Sequence, residues 1–194
     1  MRKGKKLILA SQSPRRQQLL RDLGFTFETV VRPSEETIPP GLTPREVAIA
    51  ISCEKARNYT DLSYDHVIIT ADTIVVCGEE ILGKPAAREE AFSMLRKLSG
   101  ITHSVISGVT ILHENQYHSF AEETRVTFRE LTDAEISYYT DRYQPYDKAG
   151  AYGIQEWIGM IGVSAIEGDF YNVMGLPVAR LYTEIQPFAQ IQLN

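Results

Sequence analysis

Cysteine is scarce. Cys53 and Cys77 are the only two, with no Cys-x-x-Cys pair, so no disulfide framework is available and a reducing compartment fits best. Long apolar runs are missing as well. The longest, Val67 to Val76, contains Asp72 and cannot span a bilayer. The stretch Leu7 to Ala10, after the basic Met1-Arg2-Lys3-Gly4-Lys5-Lys6, is too short for a signal peptide. Positive charge is not in excess: 20 Lys and Arg face 25 Asp and Glu, a net charge of -5, which argues against a partner that is a nucleic acid polymer. His66, His103, His113 and His118 show no ligand spacing, so a zinc site is not expected. There is no Walker A loop, dinucleotide fingerprint, nucleophile elbow, internal repeat or low-complexity segment. What these absences leave is a cytoplasmic, membrane-free protein of 194 residues, 43% hydrophobic and 23% charged. That is the size of one compact domain or of two small lobes sharing a core.

The elements alternate. Leu7 to Ala10 reads as a short buried strand, and Ser13-Pro14 supplies an N-cap and a first-turn proline for a helix carrying Leu19, Leu20 and Leu23 and closed by Gly24. Phe25 to Val31 reads as a second strand. Thr43-Pro44-Arg45-Glu46 is a capping box that opens a helix to about Asn58. Val67 to Val76 has the continuous apolar character of a strand buried on both faces. Gly78 to Gly83 reads as a turn, and Arg88 to Leu98 as a helix with Ala91, Leu95 and Leu98 inward. His103 to Leu112 and Ser119 to Arg129 form a hairpin around Glu114-Asn115-Gln116. A second capping box, Thr132 to Glu135, opens a helix to about Arg142. A glycine-rich stretch from Gly150 to Gly168 leads to Asn172-Val173-Met174-Gly175-Leu176-Pro177 and a last helix, with a loose tail after Pro187. The pattern is α/β with a mixed sheet.

Several residues break the rules of their surroundings. Arg15 and Arg16 occupy the first turn of a helix, where acids are favoured, a placement that is cheap beside an anion such as phosphate. The alternative is one solvated arginine and one paired with a surface carboxylate. Asp72 lies inside the most apolar strand, where a carboxylate must be paired, hydrogen-bonded or bound to metal unless the strand breaks there. Lys84 is fixed between Gly83 and Pro85. Lys55 continues the inward face of Val47 and Ile51, as a ligand group or a snorkelling helix end. Glu35 and Glu36 either complete a carboxylate metal site with Asp72 or form an acidic surface loop. In Asp147-Lys148-Ala149-Gly150-Ala151-Tyr152-Gly153-Ile154-Gln155, small residues suit close backbone approach to a ligand, with Gln155 able to donate and accept toward a base edge. A tight structural turn uses the same residues. Tyr138, Tyr139, Tyr143, Tyr146 and Tyr152 can stack a base or simply pack.

Together, Ser11-Gln12-Ser13-Pro14-Arg15-Arg16, Glu54-Lys55-Ala56, Ala71-Asp72-Thr73-Ile74-Val75, Gly83-Lys84-Pro85, Lys148 to Gln155 and Gly168 to Pro177 resemble the Maf family of nucleoside triphosphate pyrophosphatases. The resemblance runs in order over nearly the whole chain. It implies a single Maf-like domain over residues 1–194, with a peripheral basic extension at 1–6 and a peripheral tail at 188–194. The implied fold is a two-lobed mixed-sheet α/β fold, shared with the inosine triphosphate pyrophosphatases, with a nucleotide cleft between the lobes. The implied reaction is hydrolysis of a nucleoside triphosphate to the monophosphate and pyrophosphate. Asp72 would be the catalytic acid/base, and Arg15, Thr73 and Gln155 the positions tied to substrate choice. Arg16, Lys55 and Lys84 would bind phosphates, and Ser11 and Glu36 would line the site. A divalent metal, Mg²⁺ or Mn²⁺, would sit with Asp72 and Glu36, and the protein would form a homodimer. The Arg15, Thr73 and Gln155 combination resembles the branch acting on dTTP and UTP rather than on 7-methyl-GTP. A nucleotide-binding regulator of cell division with little turnover, and a phosphohydrolase releasing single phosphates, are the rival readings.

Overall fold

The computed structural model describes residues 5–34 and 40–189. In chain order its elements are β1 (Lys6–Leu9), α1 (Pro14–Asp22), β2 (Phe27–Thr29), α2 (Pro44–Arg57), β3 (His66–Cys77), β4 (Glu80–Leu82) and α3 (Arg88–Leu98). There follow β5 (Thr102–His113), β6 (Gln116–Phe128), α4 (Asp133–Tyr143), α5 (Trp157–Gly162), β7 (Val163–Glu167), α6 (Phe170–Met174) and α7 (Val178–Ile185). The strands make one mixed sheet in the order β2-β1-β3-β5-β6-β7, with β4 on β3. β1 pairs parallel with both β2 and β3, while β4 and β7 are antiparallel to β3 and β6. Among the described residues no helix is long and apolar enough to cross a membrane.

Local chemistry starts the helices where expected. Ser13 accepts a hydrogen bond from the Arg16 N–H at the start of α1. Thr43 and Glu46 form a reciprocal capping box on α2, as do Thr132 and Glu135 on α4, each cap being worth about 1 kcal/mol. The hairpin of β5 and β6 turns on Glu114 and Asn115, both with positive φ, the requirement of a two-residue turn whose twist matches the strands. Three readings are corrected. Phe25 to Val31 forms strand only over Phe27–Thr29, because β2 is an edge strand that, among the described residues, pairs only with β1. The turn from Gly78 to Gly83 contains β4, which folds back on Val75 to Cys77. The glycine-rich stretch contains α5 and β7. Gly159 and Gly162 sit in or at the end of α5 because a Cβ on Gly159 would lie 1.9 Å from the Ile154 carbonyl oxygen, and one on Gly162 would lie 3.0 Å from Phe128 and Leu131 side-chain atoms.

The chain divides into two compact units, one of residues 1–72, 107–122 and 175–194, the other of residues 73–106 and 123–174. The division falls between Asp72 and Thr73 within β3, and again within β5 and β6. In the first unit, Ile8, Ile68 and Leu112 pack with Ala56 and Tyr59. Helix α2 approaches the sheet so closely that a Cβ on Gly108 would stand 2.1 Å from the Ala48 carbonyl oxygen. In the second unit, Ala91, Leu95 and Leu98 of α3 are fully buried with Ile136 and Tyr139 of α4, Val105, Val126, Phe128 and Ile158. His103 belongs to this core. Its Nε2 lies 2.7 Å from the Tyr152 hydroxyl, its ring stacks on Phe128, and its Nδ1 has no hydrogen-bond partner among the described residues.

Two expectations follow. Gly108→Ala drives backbone against backbone, so it lowers stability by about 3 kcal/mol, the upper end for overpacking, read as a reduced urea midpoint; an unchanged midpoint would refute the close approach. Burial also pushes His103 down to about 4. Its folded value lies below the unfolded one of about 6.5, so its contribution is complete above that pH and is lost as pH falls toward 4. The loss amounts to about 3 kcal/mol at most. His103→Phe, which cannot titrate, flattens the dependence of unfolding free energy on pH between 7 and 4.5; parallel wild-type and variant curves would count against it.

Candidate active site

In the first unit the anomalous residues meet at two places. The first is the end of β1 and the start of α1. Buried Ser11 accepts from the Ser13 N–H through Oγ at 3.2 Å, and its carbonyl accepts from Gln17 Nε2 at 3.3 Å. Arg16 Nη1 donates to Ser11 Oγ at 3.4 Å, and its Nε donates to the Gly175 carbonyl at 2.7 Å. Arg16 therefore ties the α1 terminus to the loop that enters α7. Arg15 and Arg16 are both half-buried, and the first turn of α1 contains no acid. Helix dipole and guanidinium groups thus add the same sign of potential there.

The second place is the middle of β3. Ala48, Ser52 and Lys55 fall at i, i+4 and i+7 of α2, one face of the helix. Thr70 and Asp72 are two apart on β3 and share a face of the sheet, as do Gly108 and Thr110 on β5. The contacts follow this register. Gly108 admits Ala48; Thr70 Oγ1 donates to the Ser52 carbonyl at 2.6 Å; Ser52 Oγ and Thr110 Oγ1 are 2.9 Å apart. Thr110 Oγ1 in turn lies 2.9 Å from Ser119 Oγ. One rung further, Lys55 Nζ donates to Asp72 Oδ1 at 2.6 Å, with side chains 17% and 14% exposed. The strand runs through Asp72 without a break, so the carboxylate is paired rather than spent on a turn. Its Oδ2 has no hydrogen-bond partner among the described residues. Among the described residues the carboxylate is thus held through one oxygen.

In the second unit the structure joins Gly83-Lys84-Pro85 to Lys148 through Gln155. The Gly150 N–H donates to the Gly83 carbonyl at 3.0 Å. Gly150 has φ +66°, and a Cβ there would crowd the Val75 side chain at 3.0 Å, so both conformation and space call for glycine. Lys84 is exposed and Thr73 half-buried. Gln155 is half-buried, with Oε1 buried and without a hydrogen-bond partner among the described residues. Beyond the expected residues stands a charged group. Buried Lys148 donates to Asp147 at 2.7 Å and lies 3.2 Å from Glu156 Oε1. Tyr139, fully buried in α4, donates its hydroxyl to Glu156 Oε2. Sequence reading missed Tyr139 and Glu156 as a pair because each sits on an ordinary polar or helical face; the crowding of polar residues around Lys148 was the available signal. Of the tyrosines, Tyr139, Tyr143 and Tyr152 pack, whereas Tyr138 and Tyr146 are exposed.

Glu36 lies outside the described residues. Among the described residues no group of three His, Cys, Asp or Glu side chains gathers to hold a metal. A Mg²⁺-type ion is held through one or two carboxylates plus substrate phosphates and water, and the Asp72 carboxylate, held through one oxygen, suits that mode.

Comparison with known proteins adds a lineage. Relatives named dTTP/UTP pyrophosphatase are found in Phocaeicola vulgatus, 52% identical over 93% of this chain and 95% of that protein, and in Parabacteroides distasonis, 50% identical over 94% and 96%. A third, from Porphyromonas gingivalis with the same name, is 49% identical over 95% of each. Among solved structures, the Ham1 protein of Staphylococcus aureus superposes with a TM-score of 0.44 at 13% identity, over 64% of this chain and 72% of that one. The family model described as Maf-like protein matches residues 6–188. With that match and half of all positions shared with its relatives, the chain belongs to the Maf family.

Proposed function

We propose that this protein hydrolyses dTTP and UTP to the monophosphates and pyrophosphate. The observation that carries the reading is the Lys55–Asp72 pair: a carboxylate kept inside an unbroken apolar strand, held by an ammonium through one oxygen only. The relatives named dTTP/UTP pyrophosphatase support the choice of nucleotide. Asp72 accepts the proton of the water that attacks the α-phosphorus, and the P–O bond to the departing pyrophosphate breaks in line. Lys55 orients the carboxylate and faces the charge developing on the phosphate oxygens. Arg15, Arg16 and Ser11 at the α1 terminus, and Lys84 in the second unit, are assigned to the triphosphate, where fixed cations gain strength as water is excluded. Arg15, Thr73 and Gln155 are assigned to substrate choice. Asp72 is the described side chain that would hold Mg²⁺ or Mn²⁺, with Glu36 as the second carboxylate, and such an ion supplies neutralisation of phosphate charge. The same reading places the protein in the cytoplasm with the nucleotide pool, as a homodimer.

The test is turnover of UTP, dTTP, CTP, GTP, ATP and 7-methyl-GTP with Mg²⁺ or Mn²⁺, pyrophosphate and free phosphate being assayed separately. UTP and dTTP yield pyrophosphate, and Asp72→Asn, which keeps the shape but not the basic carboxylate, lowers the rate about 10²- to 10⁴-fold. Near-normal turnover by Asp72→Asn would remove its assigned role. Free phosphate as the product would make the protein a phosphohydrolase, and tight UTP binding without product would make it a sensor.

A further inference from the structure

Residues 153–156, Gly153-Ile154-Gln155-Glu156, form a turn whose two ends meet on one atom. The Tyr139 hydroxyl oxygen accepts from the Gly153 N–H at 3.1 Å and donates its own proton to Glu156 Oε2. The turn also closes on itself, the Glu156 N–H donating to the Gly153 carbonyl at 3.0 Å. On its far side the Glu156 carboxylate faces the buried Lys148 ammonium. No slack remains at Gly153, where a Cβ would lie 2.8 Å from Glu156 Cδ and 2.9 Å from Gln155 Nε2. Tyr139 is itself fully buried and stacked on Tyr143 with ring centroids 5.0 Å apart. Burial and the neighbouring carboxylate push its phenol well above the ordinary range, so it stays a proton donor at any working pH.

Between the two anchored ends stands Gln155, whose Oε1 is buried and, among the described residues, unpaired. A buried acceptor without a donor is unfavourable by about 1–3 kcal/mol, and a ligand N–H relieves it. The imide N3–H of uracil or thymine is such a donor; cytosine has a bare acceptor at N3. A site built around a hydrogen bond rejects the analogue that leaves it unmade.

The geometry points to Tyr139 as a positioning residue for base choice: its hydroxyl, bridging Gly153 and Glu156, holds Gln155 Oε1 as the acceptor for a pyrimidine imide N–H. The inference rests on the pyrophosphatase reading and assigns the residues that make it selective. Lys148 and Glu156 complete the device, the ammonium fixing the carboxylate on which the phenol closes.

The experiment uses the full chain and follows pyrophosphate release from UTP, with UMP and CMP as competing inhibitors. In wild type UMP inhibits more strongly than CMP. Tyr139→Phe keeps the ring and removes the bridge. Its ratio of CMP to UMP inhibition constants falls about tenfold and KM for UTP rises, while kcat stays within about threefold because Lys55 and Asp72 are untouched. A merely structural tyrosine would leave the ratio unchanged whatever happens to total activity, and that result overturns the inference. Should Tyr139→Phe fail to fold, Glu156→Gln decides by the same ratio, which must again fall. A wild type that releases no pyrophosphate from UTP overturns the underlying reading and this one with it. Normal wild-type turnover with no preference for UMP over CMP overturns this one alone.

Discussion

Helix α2 lies on the sheet at backbone distance, and the rest of the first unit's chemistry depends on that distance. The contact of Ala48 with Gly108 leaves no room for a side chain between helix and strand. The next residue along the same helical face is the small Ser52, whose carbonyl and hydroxyl meet threonines of two strands. Where the helix ends, a longer side chain fits, and Lys55 spans the gap to Asp72. An alanine, a serine and a lysine thus mark increasing separation along one face of α2. Shape complementarity alone would align α2 loosely, since apolar packing is non-directional. The hydroxyl chain of Thr70, Ser52, Thr110 and Ser119 fixes the register because each buried polar group requires its own partner.

Both units solve the problem of keeping a carboxylate away from water, and they do so differently. Among the described residues Asp72 has one ammonium, on one oxygen. Glu156 has a phenol on one oxygen and an ammonium on the other, an arrangement suited to holding still. Removing either partner of such a pair leaves a charge that the surroundings cannot solvate, which is why partly buried ion pairs matter more for geometry than for net stability.

Much of this was legible in the sequence because its signals are local. Proline and serine at the start of α1, the capping boxes at Thr43 and Thr132, and the inward stripe of α3 all act within one or two turns. Asp72 and Lys55 stood out as residues whose polarity contradicted an apolar pattern, and the structure pairs them. Elements defined by a distant partner were not visible. The length of β2 is set by β1, and β4 exists only because Val75 to Cys77 offers it an edge. Gly159 and Gly162 read as loop because glycine weakens helices, yet both are required by close packing around α5. Tyr139 hid for the opposite reason: nothing about a tyrosine on an amphipathic helix looks unusual until its hydroxyl is placed.

The turn at Glu114 and Asn115 has a consequence for the order in which the chain assembles. A two-residue turn with both φ values positive normally relies on Asn-Gly, and here the first position is a glutamate with φ +49°. What holds it is tertiary. The Glu114 N–H donates to the Ser63 carbonyl at 2.8 Å, Ser63 Oγ donates to Asn115 Oδ1 at 2.9 Å, and Lys5 reaches the Glu114 carboxylate at 2.6 Å. The hairpin's own sequence therefore does little to close it, and its tip sets only after the segment around Ser63 has docked. A turn whose own residues favour its geometry can close locally; this one is held by contacts from outside the hairpin, which ties its closure to the docking of its neighbours.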